Sequence, residues 1–195
     1  MPGEAAMGPM SIRCRKPALG RGAVVWLTGL PGAGKTTIGK RLARLLKGRG
    51  VPVEILDGDE LRRLFPGTGF SPAERDAHAR RVGHIASLLE RNGVFVVVSL
   101  VSPYRRSRAF ARRLCRRFVE VHVSTPADVC ERRDPKGHYA RARAGKLPDF
   151  TGVGAPYEAP GSPEISIDAA KLSASRAAMM IWDFLGRPAA DRRAP

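Results

Sequence analysis

Apolar residues along this chain fall into two alternating rhythms. Unbroken runs, Ala23-Val-Val-Trp-Leu-Thr28, Pro52-Val-Glu-Ile-Leu56 and Val94-Phe-Val-Val-Val-Ser-Leu100, read as short strands, the last of them central and buried on both faces. Phe118-Val-Glu-Val-His-Val123 reads as another, and Ile165-Ser-Ile167 as a short last one. Between them lie stretches with helical spacing. Residues 37–46 form one, and Glu60–Leu64 a second, shorter one. Ser71-Pro-Ala-Glu74 opens a third with a capping-box pattern and proline in the first turn. That helix is expected to reach Arg91, with Val82, Ile85, Ala86, Leu88 and Leu89 as its inward stripe, and Asn92-Gly93 ends it. An arginine-rich helix follows, then one over Pro126–Arg133 capped by Thr125, and a closing helix from Ser173 to Leu185. Residues 134–163 have no clear period and read as a long loop or lid.

Strands alternating with helices predict an α/β domain, a mostly parallel five-stranded sheet with helices on both faces. Ligands of such sheets bind at the carboxyl ends of the strands. Residues 29–36, the pair Asp57/Asp59 and Ser102-Pro103-Tyr104 all follow predicted strands and should converge on one rim. The expected division is a loose tail over 1–21, a domain over 22–186 with its lid at about 134–160, and a second tail over 187–195.

Residues 29–36, Gly-Leu-Pro-Gly-Ala-Gly-Lys-Thr, match the G-x-x-x-x-G-K-[ST] phosphate-binding loop in the strand–loop–helix setting that gives the motif meaning. Its glycines let backbone N–H groups turn inward on polyphosphate, and the helix that follows aims its positive end at the same charge. Gly29, Gly32, Ala33, Gly34, Lys35, Thr36 and Thr37 are the expected nucleotide-binding set. Lys35 should reach the β- and γ-phosphates, and the Thr36 hydroxyl should ligand Mg²⁺.

Composition changes the picture only a little. A chain of 195 residues suits one domain with a sizeable core. Its opening residues, Met-Pro-Gly-Glu-Ala-Ala, do not read as a secretory signal, and the longest apolar run is too short to span a bilayer. Cys14, Cys115 and Cys130 show neither paired nor metal-ligand spacing and suit a reducing cytoplasm. The net charge of +16 invites a nucleic-acid reading, since the run from Tyr104 to Arg117 carries seven arginines and no acid. Arginine outnumbers lysine 27 to 7 throughout, however, and aromatic residues make up only 6%. A solvated helix face is therefore the expectation, and nucleic acid is not an expected partner. A positive field also draws in anionic substrates.

Phosphoryl transfer further requires a metal and a group that orients or deprotonates the acceptor. Asp57 and Asp59 alternate in extended chain, so both carboxylates can face the phosphate site. One can hold Mg²⁺ through water while the other accepts a hydroxyl proton; alternatively, Asp59 only caps the next helix.

The ordered series Gly29–Thr36, Leu56-Asp-Gly-Asp59, Gly69-Phe-Ser71, Arg80-Arg-Val-Gly83, Val101-Ser-Pro-Tyr-Arg105, Arg133-Asp-Pro-Lys-Gly137, Ala142-Arg-Ala-Gly145, Phe150-Thr-Gly152 and Ala155-Pro-Tyr-Glu158 resembles the adenylyl-sulfate kinase family of P-loop kinases. The resemblance spans residues 22 to about 185. It implies ATP-dependent phosphorylation of the 3′-hydroxyl of adenosine 5′-phosphosulfate (APS), giving 3′-phosphoadenosine 5′-phosphosulfate in sulfate activation, with Mg²⁺ as cofactor. It also implies a cytoplasmic enzyme and a homodimer. By motif, Asp59 resembles the proposed base and Asp57 a support for the metal and phosphates. Arg62, Phe70 and Arg75 resemble the APS-binding set, with Phe70 stacking on adenine and the guanidinium forks on the phosphosulfate. Ser102 and Pro103 would line the same pocket, Phe150 would close over it, and Lys136 would lie near the phosphates. Two positions depart from the usual pattern: Glu60 stands where Asn is usual, and His78 where the family often has Asn. His78 shares a helix face with Arg75 and can hydrogen-bond substrate as donor or acceptor. Two other readings follow from the residues: a kinase of the same fold acting on a nucleoside or sugar alcohol, and a non-catalytic nucleic-acid binder using the arginine helix.

Overall fold

The computed structural model describes residues 22–65 and 67–187. The expected tails, apart from Arg187, and Cys14 lie outside the described residues. Strands β1 (Ala23–Thr28), β2 (Val53–Asp57), β3 (Phe95–Ser99), β4 (Phe118–Val123) and β5 (Ile165–Ile167) form one sheet in the order β2-β3-β1-β4-β5. Every pairing is parallel. The helices are α1 (Lys35–Lys47), α2 (Gly58–Leu64), α3 (Pro72–Arg91), α4 (Arg105–Leu114), α5 (Ala127–Arg133), α6 (His138–Arg143) and α7 (Ala174–Gly186).

The central strand β1 explains the two-faced core. All six of its residues are buried, and alternate side chains leave opposite sides of the sheet. Ala23, Val25 and Leu27 join the layer built with Ile38, Leu42 and Leu46 of α1 and Ile181 and Leu185 of α7. Val24 and Trp26 join Ala79, Val82 and Ala86 of α3 and Ala111 of α4. Such two-sided burial is why these strands read as continuous apolar runs. Among the described residues, no helix is long and apolar enough to cross a membrane.

Helix α3 begins as its sequence predicts, with Ser71 and Glu74 forming a complete capping box. Its inward stripe needs one correction. Leu88 is 56% exposed, because it lies about 240° round the helix from Val82. Thr125 does not cap α5, where Pro126 holds the N-cap position without a side-chain bond. The Thr125 hydroxyl instead donates to the Ala33 carbonyl at 2.9 Å, tying the end of β4 to the glycine-rich loop. The segment over 134–163 is more ordered than its composition suggests, containing α6 and a bridge between Thr151 and Ala155. Helix α4 is not simply a solvated face either. Arg108 is 2% exposed and bonds Glu120 at 2.6 Å.

Candidate active site

The loop from β1 to α1 brings backbone close to where phosphate oxygens would lie, and two glycines make its path possible. Gly34 sits at the α1 N-cap with φ 107°, in the left-handed region. Gly32 has φ 75°, and a Cβ there would stand 2.9 Å from the Cys130 carbonyl. Lys35, the first residue of α1, folds back to donate from Nζ to the Gly29 and Leu30 carbonyls at 2.9 and 2.8 Å. Burial lowers its pKa from the ordinary 10.5 to about 8, against the weaker upward pull of Cys130, Asp59 and Asp57. Gly32, Gly34, Thr36 and Thr37 line the adjoining cavity with Lys35. Gly29 and Ala33 stand behind it, supplying carbonyls to Lys35 and Thr125.

Asp57 closes β2 directly opposite. Its Oδ2 accepts from the Thr36 hydroxyl at 2.9 Å, and its Oδ1 accepts from the Asp59 amide at 3.0 Å. Asp57, not Asp59, is therefore the α2 cap. A hydroxyl beside a carboxylate is a hard-oxygen donor set that fits Mg²⁺, an ion that usually takes one or two protein ligands and fills its octahedron with phosphate and water. Among the described residues, there is no group of three or more His, Cys, Asp or Glu able to hold a metal by themselves.

The Asp59 side chain is more open, 63% exposed, and meets the Lys136 ammonium. Partial burial pushes its carboxyl up. The Lys136 contact and the charges of Lys136, Arg62 and His138 outweigh this and hold it below the usual carboxylate range.

The same cavity, about 840 Å³, continues from the phosphate loop to the other candidate residues. Phe70 is 58% exposed, an unusual state for a large aromatic ring that packing would otherwise cover. The Arg62 and Arg75 guanidinium carbons lie 4.6 and 5.7 Å from its centroid. Arg62 donates to the Gly69 carbonyl at 2.6 Å, and Arg75 donates to the Phe70 carbonyl at 2.5 Å. Arg75 also bonds the Thr151 hydroxyl and the Asp149 carbonyl, linking α3 to the 134–160 segment. His78, one turn further, is fully buried with neither ring nitrogen hydrogen-bonded to a side chain. Burial, followed by the nearby Arg62 charge, lowers its pKa to about 4, so the imidazole is neutral at physiological pH.

Ser102 and Pro103 form the wall after β3. Ser102 adopts φ 39°, rare for a residue with a side chain. Its hydroxyl accepts from the Trp26 indole at 3.0 Å and lies 3.1 Å from the Thr28 hydroxyl. Being 2% exposed, it is engaged in structure rather than presented to solvent. Phe150 also lines the cavity and packs edge-on against Tyr139 at 4.9 Å. All the residues expected at the acceptor end (Arg62, Phe70, Arg75, His78, Ser102, Pro103, Lys136 and Phe150) thus share one wall system with the phosphate loop. Sequence reasoning missed Arg133, Ala169 and Leu172, which line it too, and Thr151. The sequence reading assigned none of these four a binding role.

The glycine-rich loop with its buried lysine and a recess of two arginines about an open aromatic ring face one cavity here. Little else is required for phosphoryl transfer, whose catalysis is mainly positioning and charge stabilisation, and in class the molecule is a P-loop kinase. The family model described as adenylylsulphate kinase matches residues 21–168. An adenylyl-sulfate kinase of Synechococcus sp. (strain JA-2-3B'a(2-13)) is 50% identical over 154 residues, 78% of this chain and 88% of that protein. One from Picosynechococcus sp. (strain ATCC 27264 / PCC 7002 / PR-6) is 54% identical over 146 residues, 74% and 82% of the two chains. Among solved structures, the Mycobacterium tuberculosis APS kinase CysC in complex with AMPPNP and APS is 41% identical, with a TM-score of 0.81 over 84% of this chain and 96% of that one. The chain belongs to the adenylyl-sulfate kinase family. A gluconokinase from Sinorhizobium meliloti 1021, 19% identical with a TM-score of 0.57 over 85% of this chain and 94% of that one, shares the fold alone.

Proposed function

We propose that the protein is an adenylyl-sulfate kinase, transferring the γ-phosphoryl group of ATP to the 3′-hydroxyl of adenosine 5′-phosphosulfate. The observation that carries this reading is the continuity of one cavity from Lys35 and Thr36 to Phe70, Arg62 and Arg75, in a chain of this family. Lys35 and the backbone of residues 29–37 hold the donor phosphates. Thr36 and Asp57 would hold the magnesium ion that accompanies ATP, which when bound there supplies charge neutralisation of the β- and γ-phosphate oxygens.

Phe70 offers its open face to the acceptor adenine, and the two guanidinium groups bordering it suit the phosphosulfate. Asp59 orients the attacking hydroxyl. A carboxylate that orients the hydroxyl suits a loose transition state in which the acceptor loses its proton late. Lys136 must exchange Asp59 for phosphate if that carboxylate is to meet the hydroxyl, so closure of the segment over 134–160 and release of Asp59 belong to one motion. The working unit on this reading is the domain over 22–186, a cytoplasmic homodimer by family resemblance.

The test is product identification after incubation with ATP, Mg²⁺ and APS. Formation of ADP and 3′-phosphoadenosine 5′-phosphosulfate is the expected result. No turnover of APS beside clear turnover of a nucleoside or a sugar alcohol defeats the proposal.

A further inference from the structure

The arginine-rich helix contains one member that behaves unlike the rest. The Arg108 side chain is 2% exposed, and each of its nitrogens has a partner on a different element. Nε donates to Glu120 Oε1 on β4 at 2.6 Å. Nη1 donates to the Ser102 carbonyl and Nη2 to the Glu158 carbonyl, both at 2.7 Å. Glu120 is itself held, accepting from Arg112 at 3.2 Å, while Arg112 also bonds Glu164.

These partners matter because of what they carry. Ser102, with its strained positive φ, and Pro103 line the cavity at its acceptor end. Glu158 lies near the C-terminal end of the lid, and that end is fastened to the same wall: the Glu158 amide donates to the Pro103 carbonyl at 2.8 Å. Its carboxylate accepts from the Arg105 amide at 2.7 Å, and the neighbouring Tyr157 hydroxyl lies 3.1 Å from that of Thr28. The middle of the 134–160 segment is fastened by Arg75 to Asp149 and Thr151. A planar fork with several donors is what joins carbonyls from two chain segments to a fixed carboxylate; an ammonium, a single point charge, cannot span all three.

We infer that Arg108 is a positioning residue for the acceptor site, holding the Ser102–Pro103 wall and the return end of the lid in register with β4. It touches no substrate and acts through Ser102 and Glu158. The phosphate loop hangs from β1, Thr125 and α1, and the Arg108 guanidinium bonds none of these directly; its three bonds go to Glu120, Ser102 and Glu158. Loss of the clamp therefore loosens acceptor binding and spares donor binding. The inference rests on APS being the acceptor.

Steady-state kinetics of the full chain carrying Arg108→Lys or Glu120→Gln, with ATP and APS varied separately, test it. In Arg108→Lys, kcat/KM for APS falls roughly 10- to 100-fold while the KM for ATP stays within about twofold. Glu120→Gln keeps an acceptor for Nε but removes the counter-charge, and gives a smaller change in the same direction. It decides the matter if Arg108→Lys does not fold. Hydrogen exchange adds a reading that general destabilisation would not mimic: the Glu158 amide loses protection while Val25 and Val97 keep theirs. Equal loss toward both substrates, or an unchanged KM for APS with only a lower Tm, overturns the inference while leaving the acceptor assignment intact. A wild-type enzyme that does not bind APS overturns both.

Discussion

Lys35 gives the sharpest physical prediction, because the proposed function needs its charge for the donor phosphates while its surroundings oppose that charge. Desolvation brings its pKa to about 8 from the ordinary 10.5, a difference worth roughly 3 kcal/mol against the charged form. Polyphosphate reverses that balance by placing negative charge where Nζ now meets only the Gly29 and Leu30 carbonyls. Binding ATP must therefore draw in a proton wherever the free enzyme has lost it. Below pH 8 the affinity is set by a lysine already charged. Above it the dissociation constant should rise about tenfold per pH unit, so roughly tenfold by pH 9, until the bound form begins to titrate. Calorimetry of a non-hydrolysable ATP analogue from pH 7.5 to 9.5, in two buffers of different ionisation heat, measures both the affinity and the proton uptake. Lys35→Met should bind more weakly and lose the alkaline limb. The free protein moves oppositely. Between about pH 8 and 10.5 the unfolded chain holds a proton that the folded one has shed, so stability rises with pH across that window. A flat affinity profile with no proton uptake would refute the reasoning.

Three further perturbations separate the parts of the site. Asp59→Ala should lower kcat by roughly 10²- to 10⁴-fold with little change in melting temperature, since the carboxylate is 63% exposed; near-wild-type turnover would remove it from the mechanism. Phe70→Ala should raise the KM for APS roughly 10- to 100-fold, as expected for one stacked base, and leave that for ATP alone. Equal effects on the two nucleotides would contradict the stacking role. His78, lowered to about 4 by burial and by Arg62, takes up a proton in the unfolded chain before the folded one. Stability should thus fall as pH drops from about 6.5 toward 4, and less steeply in His78→Asn. Parallel acid-denaturation curves for the two proteins would exclude His78 as a source of that dependence.

How much of this was legible in the sequence depends on the range of the interaction. The phosphate loop, the α3 capping box and the runs that became β1 to β5 are local, so each could be read from adjacent residues. The exposure of Leu88 was misjudged because apolar spacing alone does not say which of two neighbouring stripes faces a sheet. Helix α6 escaped because its six residues, His-Tyr-Ala-Arg-Ala-Arg, are too few for a period to appear amid glycine and arginine. Thr125 was given a cap because it precedes a helix. Its bond to Ala33, 92 residues away, exists only once β4 lies beside β1.

The acceptor end of the site shows the same division more sharply. Arg62, Phe70 and Arg75 carry no local signature of nucleotide binding, and only their place in an ordered series of family motifs singled them out. Composition actively misled at Arg108. In a chain with 27 arginines, seven on one short segment read as coding bias, and the buried guanidinium of Arg108 is hidden among them. A buried arginine whose carboxylate partner were removed would cost several kcal/mol, so Glu120 and Arg108 constrain one another although 12 residues and a helix end separate them. Charge within an apolar strand was the available sign. Glu120 interrupts the Phe118–Val123 run at a position that the sheet buries, and a carboxylate there requires a cation from a neighbouring layer. Read that way, the strand itself points to an arginine on the helix just before it. The helix register then selects Arg108 and Arg112, four residues apart on one face, over the exposed Arg106.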